Sequence, residues 1–333
     1  MIPMKYIETQ KAIHEVKTVF EKKLSKTLRL TKVVAPQFLI QGTGLQDDLA
    51  GTQLPVQFKT RASNLDVEIV HSLAKWKRAT LSAKKFPAHT GLLTDMRAIR
   101  KDEDIDEIHS IFVDQWDWEV VIDKTDRTIP YLKSIVRKIY RALYETEKII
   151  AKKYGIAFYL PKKITFIHTE TLERDYPLLD PRMREDAVAK KYGAVFIIGI
   201  GHPLISGKPH DIRASDYDDW STVTMQGRGL DGDIIVWDPV REKALELSSM
   251  GIRVDKRALE YQLKHCGEEH KRMQPFHKKI LAKEMALTIG GGVGQSRVCQ
   301  FILKKRHIGE VQCSVWSEKI KREAARQEII LLE

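Results

Sequence analysis

Two long stretches of the chain repeat apolar residues at helical spacing, with charged residues between them. They cover residues 5–28 and 131–154. This period puts the apolar side chains on one face of an α-helix, so we predict two long amphipathic helices. The apolar positions are Ile7, Ile13, Val16, Phe20, Leu24 and Leu28 in the first, and Leu132, Ile135, Val136, Ile139, Leu143 and Ile150 in the second.

Shorter stretches rich in β-branched and aromatic residues predict strands. "GLLTDMRAIR" and "HSIFVDQWDWEVVI" flank the charged loop "KDEDIDE" and predict a long hairpin, while "TKVVAP" is a short strand stopped by Pro36. Further candidates are "ITFIHTE", "AVFIIGIG", "GDIIVWDPV" and "ALELSSMGIRV". We also predict helix over residues 256–284, with a break near Pro275, and from Val293 onward.

The strands crowd into the middle and second half of the chain and do not alternate one-to-one with helices. This order favours an α+β fold, with helices flanking a mixed or antiparallel sheet. No repeat, low-complexity segment or Pro/Ser-rich linker divides the sequence, so we treat residues 1–333 as a single domain.

Composition and charge limit the cellular compartments and the binding partners that we expect for this chain. No apolar run approaches the roughly 20 residues that a membrane span needs, and the N-terminus lacks the features of a signal peptide. Cys266, Cys299 and Cys313 are odd in number and lack CxxC spacing, which favours reduced thiols in the cytoplasm over a zinc site. The net charge of +11 suits nucleic acid, nucleotides or acidic metabolites, or solubility alone. Because RNA-binding motifs and long Lys/Arg blocks are missing, we do not expect a nucleic-acid partner.

The string "TIGGGVGQSRVCQFIL", residues 288–303, concentrates glycines before an arginine. Glycine loses much conformational entropy on folding, so these residues form either a tight strand-to-helix turn or a place where another group approaches the backbone. The string is neither a Walker loop nor a dinucleotide fingerprint. Arg297 could pair with a phosphate or lie on a base. The glycines are Gly290, Gly291, Gly292 and Gly294.

Two further patterns carry acidic side chains. In "VDQWDWE", Gln115, Asp117 and Glu119 share one strand face, and the two tryptophans face the other way, toward the core. This polar face is either solvated or holds a ligand. Asp233 and Glu246 lie on two adjacent predicted strands, and such carboxylates suit Mg²⁺ that also contacts nucleotide phosphates. They could equally be two unrelated acids of a hairpin.

Three loops contribute weaker candidates. Ser72 in "VHSLAKWKRATL" lies at a strand-to-helix junction, where capping is the simplest role, and Lys77 could meet a carboxylate. Asp47 and Asp48 in "GLQDDLAG" lie in a glycine-bounded loop, which by itself indicates a plain turn. The loop "HDIRASDYDDWS" carries Arg213, Asp216, Asp218 and Asp219.

In chain order these patterns resemble the three motifs of class II aminoacyl-tRNA synthetases. Residues 5–36 resemble the first motif, closed by Pro36. Residues 91–119 resemble the second, with Arg100, and residues 288–303 the third, with Arg297. Residues 231–255 are similar to the metal-binding strands of aspartyl- and asparaginyl-tRNA synthetases. More narrowly, "VHSLAKWKR", "VDQWDWE", "DYDDWST" and "ELSSMGIRVD" resemble ammonia-dependent asparagine synthetases, a resemblance that covers residues 4–317.

The resemblance implies a class II synthetase-like antiparallel sheet flanked by helices, and a homodimer. It also implies ATP-dependent conversion of L-aspartate and ammonia to L-asparagine, AMP and pyrophosphate through β-aspartyl-adenylate. Arg100 and Arg297 would bind ATP phosphates, with Gly292 and Gly294 beside them, and Asp233 and Glu246 would hold Mg²⁺. The residues implied around aspartate are Ser72, Lys77, Gln115, Asp117, Arg213, Asp219, Ser249 and Arg253. Gln115 is also implied in catalysis, and Asp47 would bind ammonium and take its proton.

Two alternatives remain open from the sequence. A class II aminoacyl-tRNA synthetase would share the motifs, although 333 residues show no obvious anticodon-binding appendix. A non-catalytic paralogue that binds nucleotide or RNA would be expected to lose active-site residues. Arg100, Asp233, Glu246 and Arg297 are all present, which disfavours it.

Overall fold

A computed structural model describes residues 5–47, 49 and 53–332. Within them the helices are α1 (Tyr6–Leu28), α2 (Ala74–Ala83), α3 (Ile129–Tyr154), α4 (Thr169–Asp175), α5 (Pro181–Tyr192), α6 (Lys256–His265), α7 (Pro275–Leu281), α8 (Gln295–Ile302) and α9 (Glu318–Arg326). The strands are β1 (Leu30–Lys32), β2 (Phe38–Ile40), β3 (Gln57–Lys59), β4 (Asp66–Ile69), β5 (Gly91–Ile99), β6 (Phe112–Val121), β7 (Thr165–His168), β8 (Ala194–Ile198), β9 (Val223–Thr224), β10 (Gly227–Arg228), β11 (Asp231–Asp238), β12 (Lys243–Ile252) and β13 (Thr288–Gly294).

A mixed sheet of eight strands organises the described part of the chain. Its order is β1-β5-β6-β13-β12-β11-β8-β7. The pairs at the two edges, β1 with β5 and β7 with β8, are parallel, and the pairs between them are antiparallel. The predicted hairpin is confirmed as β5 and β6, which pair from Gly91 opposite Val120 to Ile99 opposite Phe112. The α+β class with flanking helices is therefore correct.

One face of this sheet is apolar and carries the two long predicted helices. Trp116 and Trp118 are fully buried on it, as their alternation with polar residues predicts, and Phe20 of α1 packs on Trp116 with ring centroids 4.5 Å apart. Thr128 caps α3 by accepting a hydrogen bond from the Tyr131 amide. The burial of this face leaves the polar side chains of β6 on the opposite face.

The predicted helices are present with one error in a boundary, and α4 and α5 were not predicted. The predicted break near Pro275 is confirmed, because α6 ends at His265 and α7 starts with that proline. The prediction of helix from Val293 is wrong, since β13 continues to Gly294. In the described segments, no helix combines the length and apolar character needed to cross a bilayer.

Candidate active site

The glycine-rich segment forms the central strand β13, so of its two interpretations the tight turn is wrong and the close approach to the backbone is correct. Gly290 lies opposite Glu119, and Gly292 opposite Asp117. A Cβ on Gly290 would lie 1.8 Å from Glu119 Oε2, and one on Gly292 would lie 2.2 Å from Gln115 Oε1. Glycine is required here because neighbouring side chains lie directly across the strand. The close approach to the backbone that the sequence suggested is therefore made by the protein itself.

Of the polar residues of β6, Asp114 and Gln115 line a cavity of about 570 Å³, and Asp117 and Glu119 do not. Small-molecule sites commonly measure roughly 300–1,000 Å³, so a nucleotide and an amino acid are of suitable size. Of the residues predicted to act in catalysis or binding, those that line the cavity are Arg100, Gln115, Arg213, Glu246, Ser249, Gly292, Gly294 and Arg297.

Lys77 and Asp117 form a buried ion pair beside this cavity. Lys77 Nζ donates to Asp117 Oδ1 at 2.5 Å, and to the carbonyls of Trp118 and Gly291 at 3.0 and 3.2 Å. Burial lowers the pKa of Lys77, and burial also raises the pKa of Asp117 in spite of the nearby ammonium group. Asp117 Oδ2 is buried without a hydrogen-bond partner among the described residues, which makes it a ready acceptor.

Arg253 extends the charged network behind the cavity. It donates to Glu119 Oε2 at 2.7 Å and to Asp218 Oδ1 at 2.5 Å. Burial alone would raise the pKa of Glu119, but the charge of Arg253 holds it below its ordinary value. Arg253 does not line the cavity. Its hydrogen bonds instead fix the carboxylates of Glu119 and Asp218 behind Asp117.

The two predicted metal ligands lie on β11 and β12, each paired with an arginine. Arg213 pairs with Asp233, and Arg297 Nη1 donates to Glu246 Oε2 at 3.2 Å. Burial raises the pKa of Asp233 to about 7. The charge of Arg213 opposes this increase, and the charge of Glu246 adds to it. Asp233 Oδ1 is buried and lacks a partner in the described part of the chain. A second cavity of about 730 Å³, lined by Asp233, shares Glu246 and Arg297 with the first.

Arg100 reaches the cavity from the residue after β5. Its Nη2 donates to the His71 carbonyl at a long 3.5 Å, and its Nε is buried with no partner among the residues described. Burial lowers the pKa of His71, and the charge of Arg100 lowers it further. The guanidinium is thus weakly engaged, as expected of a group that binds an anion.

Asp47 is buried at the edge of the cavity without lining it. Its Oδ1 accepts a hydrogen bond of 3.0 Å from the Leu49 amide, and Leu49 lines the cavity. Burial, followed by the charge of Asp47, raises the pKa of Tyr217, another lining residue. Asp48 lies outside the described residues.

Ser72 and Asp219 do not line the cavity. Ser72 Oγ accepts a hydrogen bond of 3.1 Å from the amide of Ala74, the first residue of α2, but the N-cap residue of this helix is Leu73. Asp219 pairs with Arg127 at 2.5 Å and accepts from the amides of Ser221 and Thr222. Its predicted place around aspartate is not supported by these contacts.

Distant segments bring a polar network to the cavity wall that no sequence pattern indicated. Ser296 Oγ donates to Asp114 Oδ1 at 2.6 Å, and Gln312 Nε2 donates to Ser296 Oγ at 3.0 Å. Ser110 Oγ donates to Gln312 Oε1 at 2.5 Å. Asp114 adjoins the singled-out Gln115, but nothing in the local sequence around Gln312 signals its role. By contrast, His71 lies within the string "VHSLAKWKRATL" and Tyr217 within "HDIRASDYDDWS", both of which carry predicted site residues.

Comparisons with known proteins agree with this geometry. A family described as "Aspartate-ammonia ligase" matches residues 7–328. An aspartate–ammonia ligase of Bacillus mycoides is 52% identical over 326 residues, which cover 98% of this chain and 97% of the relative. One of Parabacteroides distasonis is 49% identical over 328 residues, covering 98% and 95%. The structure is similar to Entamoeba histolytica asparaginyl-tRNA synthetase in complex with asparaginyl-adenylate, with a TM-score of 0.65 and 12% identity over 93% of this chain and 69% of that one. The fold is therefore that of class II synthetases, and the chain belongs to the aspartate–ammonia ligase family.

Proposed function

We propose that this protein converts L-aspartate, ammonia and ATP to L-asparagine, AMP and pyrophosphate through β-aspartyl-adenylate. A carboxylate is a poor electrophile and needs activation. Its oxygen forms a bond to the α-phosphorus of ATP while the bond to pyrophosphate breaks, and ammonia then attacks the carbonyl carbon while AMP leaves. One arrangement supports this best. Two arginines held by long hydrogen bonds, Arg100 and Arg297, line the first cavity, and the acids Asp233 and Glu246 line the second, which shares Glu246 and Arg297 with the first.

Arg100 and Arg297 are suited to bind the triphosphate and to stabilise charge at the α-phosphate. Asp233 and Glu246 would hold Mg²⁺, which would supply positive charge to neutralise the phosphates of ATP. The free Oδ1 of Asp233 and the carboxylate chemistry of the pair fit such a cation. Because Glu246 is paired with Arg297, incoming phosphates would draw this guanidinium group away and release the carboxylate for the metal.

Asp117 is suited to accept hydrogen bonds from the substrate ammonium group through its unpartnered Oδ2. Lys77 already gives hydrogen bonds to three oxygens, which equals its number of protons, so it holds Asp117 in place. Gln115 and Ser249 border the cavity and can contact the reacting carboxyl group and the substrate backbone. Arg213 also lines the cavity and completes the proposed aspartate site, whereas Ser72 does not line it.

Ammonia requires a separate group, because ammonium predominates at neutral pH and has no lone pair for attack. Asp47 is buried beside the cavity, and a carboxylate there can bind the cation and accept its proton. We also infer, from the family resemblance, that the enzyme works as a homodimer in the cytoplasm. Light scattering of the purified protein tests the dimer.

The proposal is tested by incubating the protein with ATP, Mg²⁺, aspartate and ammonium and measuring AMP and asparagine. A parallel assay offers tRNA in place of ammonium. Equal amounts of AMP and asparagine, without charged tRNA, support the proposal. Charging of tRNA, or ATP turnover without asparagine, would contradict it.

A further inference from the structure

A buried cluster of three polar side chains lies outside both cavities. Asp216 accepts hydrogen bonds from Lys75 of α2 and from His277 Nε2 of α7, the latter at 2.9 Å. Each of the three residues is at most 3% exposed. None of them lines either cavity.

Stability alone does not account for this cluster. Taking ions out of water is costly, and apolar residues of similar volume often serve folding equally well. Burial would raise the pKa of Asp216, but the charge of Lys75 and the hydrogen bond from His277 hold it below its ordinary value. Asp216 is therefore an anion that fixes two helices relative to its own loop.

His277 also supports the backbone of the loop formed by residues 41–47. Gly44 has a φ of +77°, and a Cβ there would lie 3.0 Å from His277 Nδ1. The Phe276 amide donates to the Thr43 carbonyl at 3.2 Å, which ties the loop to the start of α7. His277 Nδ1 is buried without a hydrogen-bond partner in the described residues, so the ring supports the loop by close packing.

The same loop ends at Asp47, beside the first cavity. The Asp47 carbonyl accepts from His71 Nδ1 at 3.2 Å. Tyr217, the residue after Asp216, lines the cavity close enough to Asp47 for that charge to raise its pKa in addition to burial. The cluster therefore fixes two parts of the cavity wall, loop 41–47 and Tyr217, at the place where Asp47 approaches the cavity.

We infer that Lys75, Asp216 and His277 are positioning residues for the attack of ammonia. The inference rests on the proposed role of Asp47. By fixing loop 41–47 and Tyr217, the cluster keeps the Asp47 carboxylate where ammonium arrives. Adenylation does not need ammonium, so loosening the cluster impairs the second half-reaction more than the first.

The test compares the two half-reactions in His277→Ala and Gly44→Ala. We expect aspartate-dependent pyrophosphate exchange within about threefold of the parent, and a KM for ammonium raised about tenfold or more, because a displacement of about 1 Å can cost roughly 10²-fold. Gly44→Ala presses on His277 and on Gln274 Oε1, which a Cβ would meet at 2.9 Å, and strains the loop at a positive φ, all without changing a charge. It therefore carries the test if His277→Ala does not fold. His277→Gln keeps a donor toward Asp216 and should recover part of the loss.

His168→Ala is the matched control. His168 is also a buried histidine, and its Nε2 bonds the Arg228 carbonyl at 3.0 Å beside the β7 edge of the sheet. This variant should lower the melting temperature without changing the KM for ammonium. An equally raised ammonium KM in His168→Ala would overturn the inference, because the effect would then follow from lost stability.

Asp47→Ala, measured beside these variants, separates the inference from the proposed function. If Asp47→Ala loses asparagine formation selectively while His277→Ala and Gly44→Ala keep the parental ammonium KM, the inference alone fails. Equal loss of both half-reactions in the two cluster variants would also overturn it. If Asp47→Ala forms asparagine normally, the proposed role of Asp47 fails, and the inference fails with it.

Discussion

Gln115 lies across the backbone of Gly292, so close that a Cβ on this glycine would be 2.2 Å from Gln115 Oε1. Strand β13 therefore has no room for a side chain at this position. The absent side chain leaves space on the polar face of the sheet, and Gln115 and Gly292 both line the resulting cavity.

Gly292→Ala should displace Gln115 and reduce asparagine synthesis by roughly 10²-fold, the usual scale for misplacing a catalytic group. Gly155→Ala, at the end of α3, is the control for lost stability, because its φ of +63° strains the new residue while an added Cβ would meet nothing within 4 Å. Steady-state rates and circular dichroism of both variants check this. Normal activity in Gly292→Ala would show that the position of Gln115 is unimportant.

Arg297→Ala should weaken ATP binding about 10- to 100-fold, since a charge-assisted hydrogen bond contributes roughly 1.5–3 kcal/mol. Isothermal titration with a non-hydrolysable ATP analogue measures the loss. Arg326→Ala, at the exposed end of α9, should bind like the parent. Parental affinity in Arg297→Ala would remove this residue from the ATP site.

His71 should make the stability of the protein sensitive to acid. Burial and the charge of Arg100 lower the pKa of this histidine below its ordinary 6.5. As the pH falls below 6.5 the unfolded chain takes up a proton that the folded chain resists, so stability decreases. Urea unfolding at about pH 7.5 and about pH 5.5 should show a smaller loss for His71→Asn than for the parent. An identical loss in both would contradict the assignment.

Glutamine should not replace ammonia, because glutamine-dependent transfer generally needs a reactive cysteine nucleophile. Cys299 is buried in the core, where burial raises the pKa of its thiol to about 12. A variant with Cys266→Ser, Cys299→Ala and Cys313→Ser should keep ammonia-dependent synthesis within about threefold, since none is placed at the site. Loss of synthesis by a folded triple variant would show that a thiol participates.

Local sequence patterns predicted those parts of the site that depend on the periodicity of apolar and polar residues. The alternation around Trp116 and Trp118 determines which face of β6 is polar, and the central hairpin follows from the strings on either side of its loop. For the glycines the sequence left a turn and a close approach to the backbone as alternatives, because the groups that approach, Gln115 and Glu119, lie on another strand. The hydrogen-bonded residues Gln312 and Ser110 are 202 positions apart in the sequence, and His277 and Asp216 are 61 apart. Only tertiary packing could therefore reveal these contacts.

The most direct test of the account uses aspartate labelled with ¹⁸O in its β-carboxylate. If that carboxylate attacks the α-phosphorus of ATP, one labelled oxygen remains on the phosphate when ammonia displaces AMP. Mass spectrometry of the products should therefore find one ¹⁸O in AMP for each asparagine formed, and unlabelled pyrophosphate. Formation of ADP with ¹⁸O in inorganic phosphate, or of asparagine with unlabelled AMP, would contradict the adenylate mechanism.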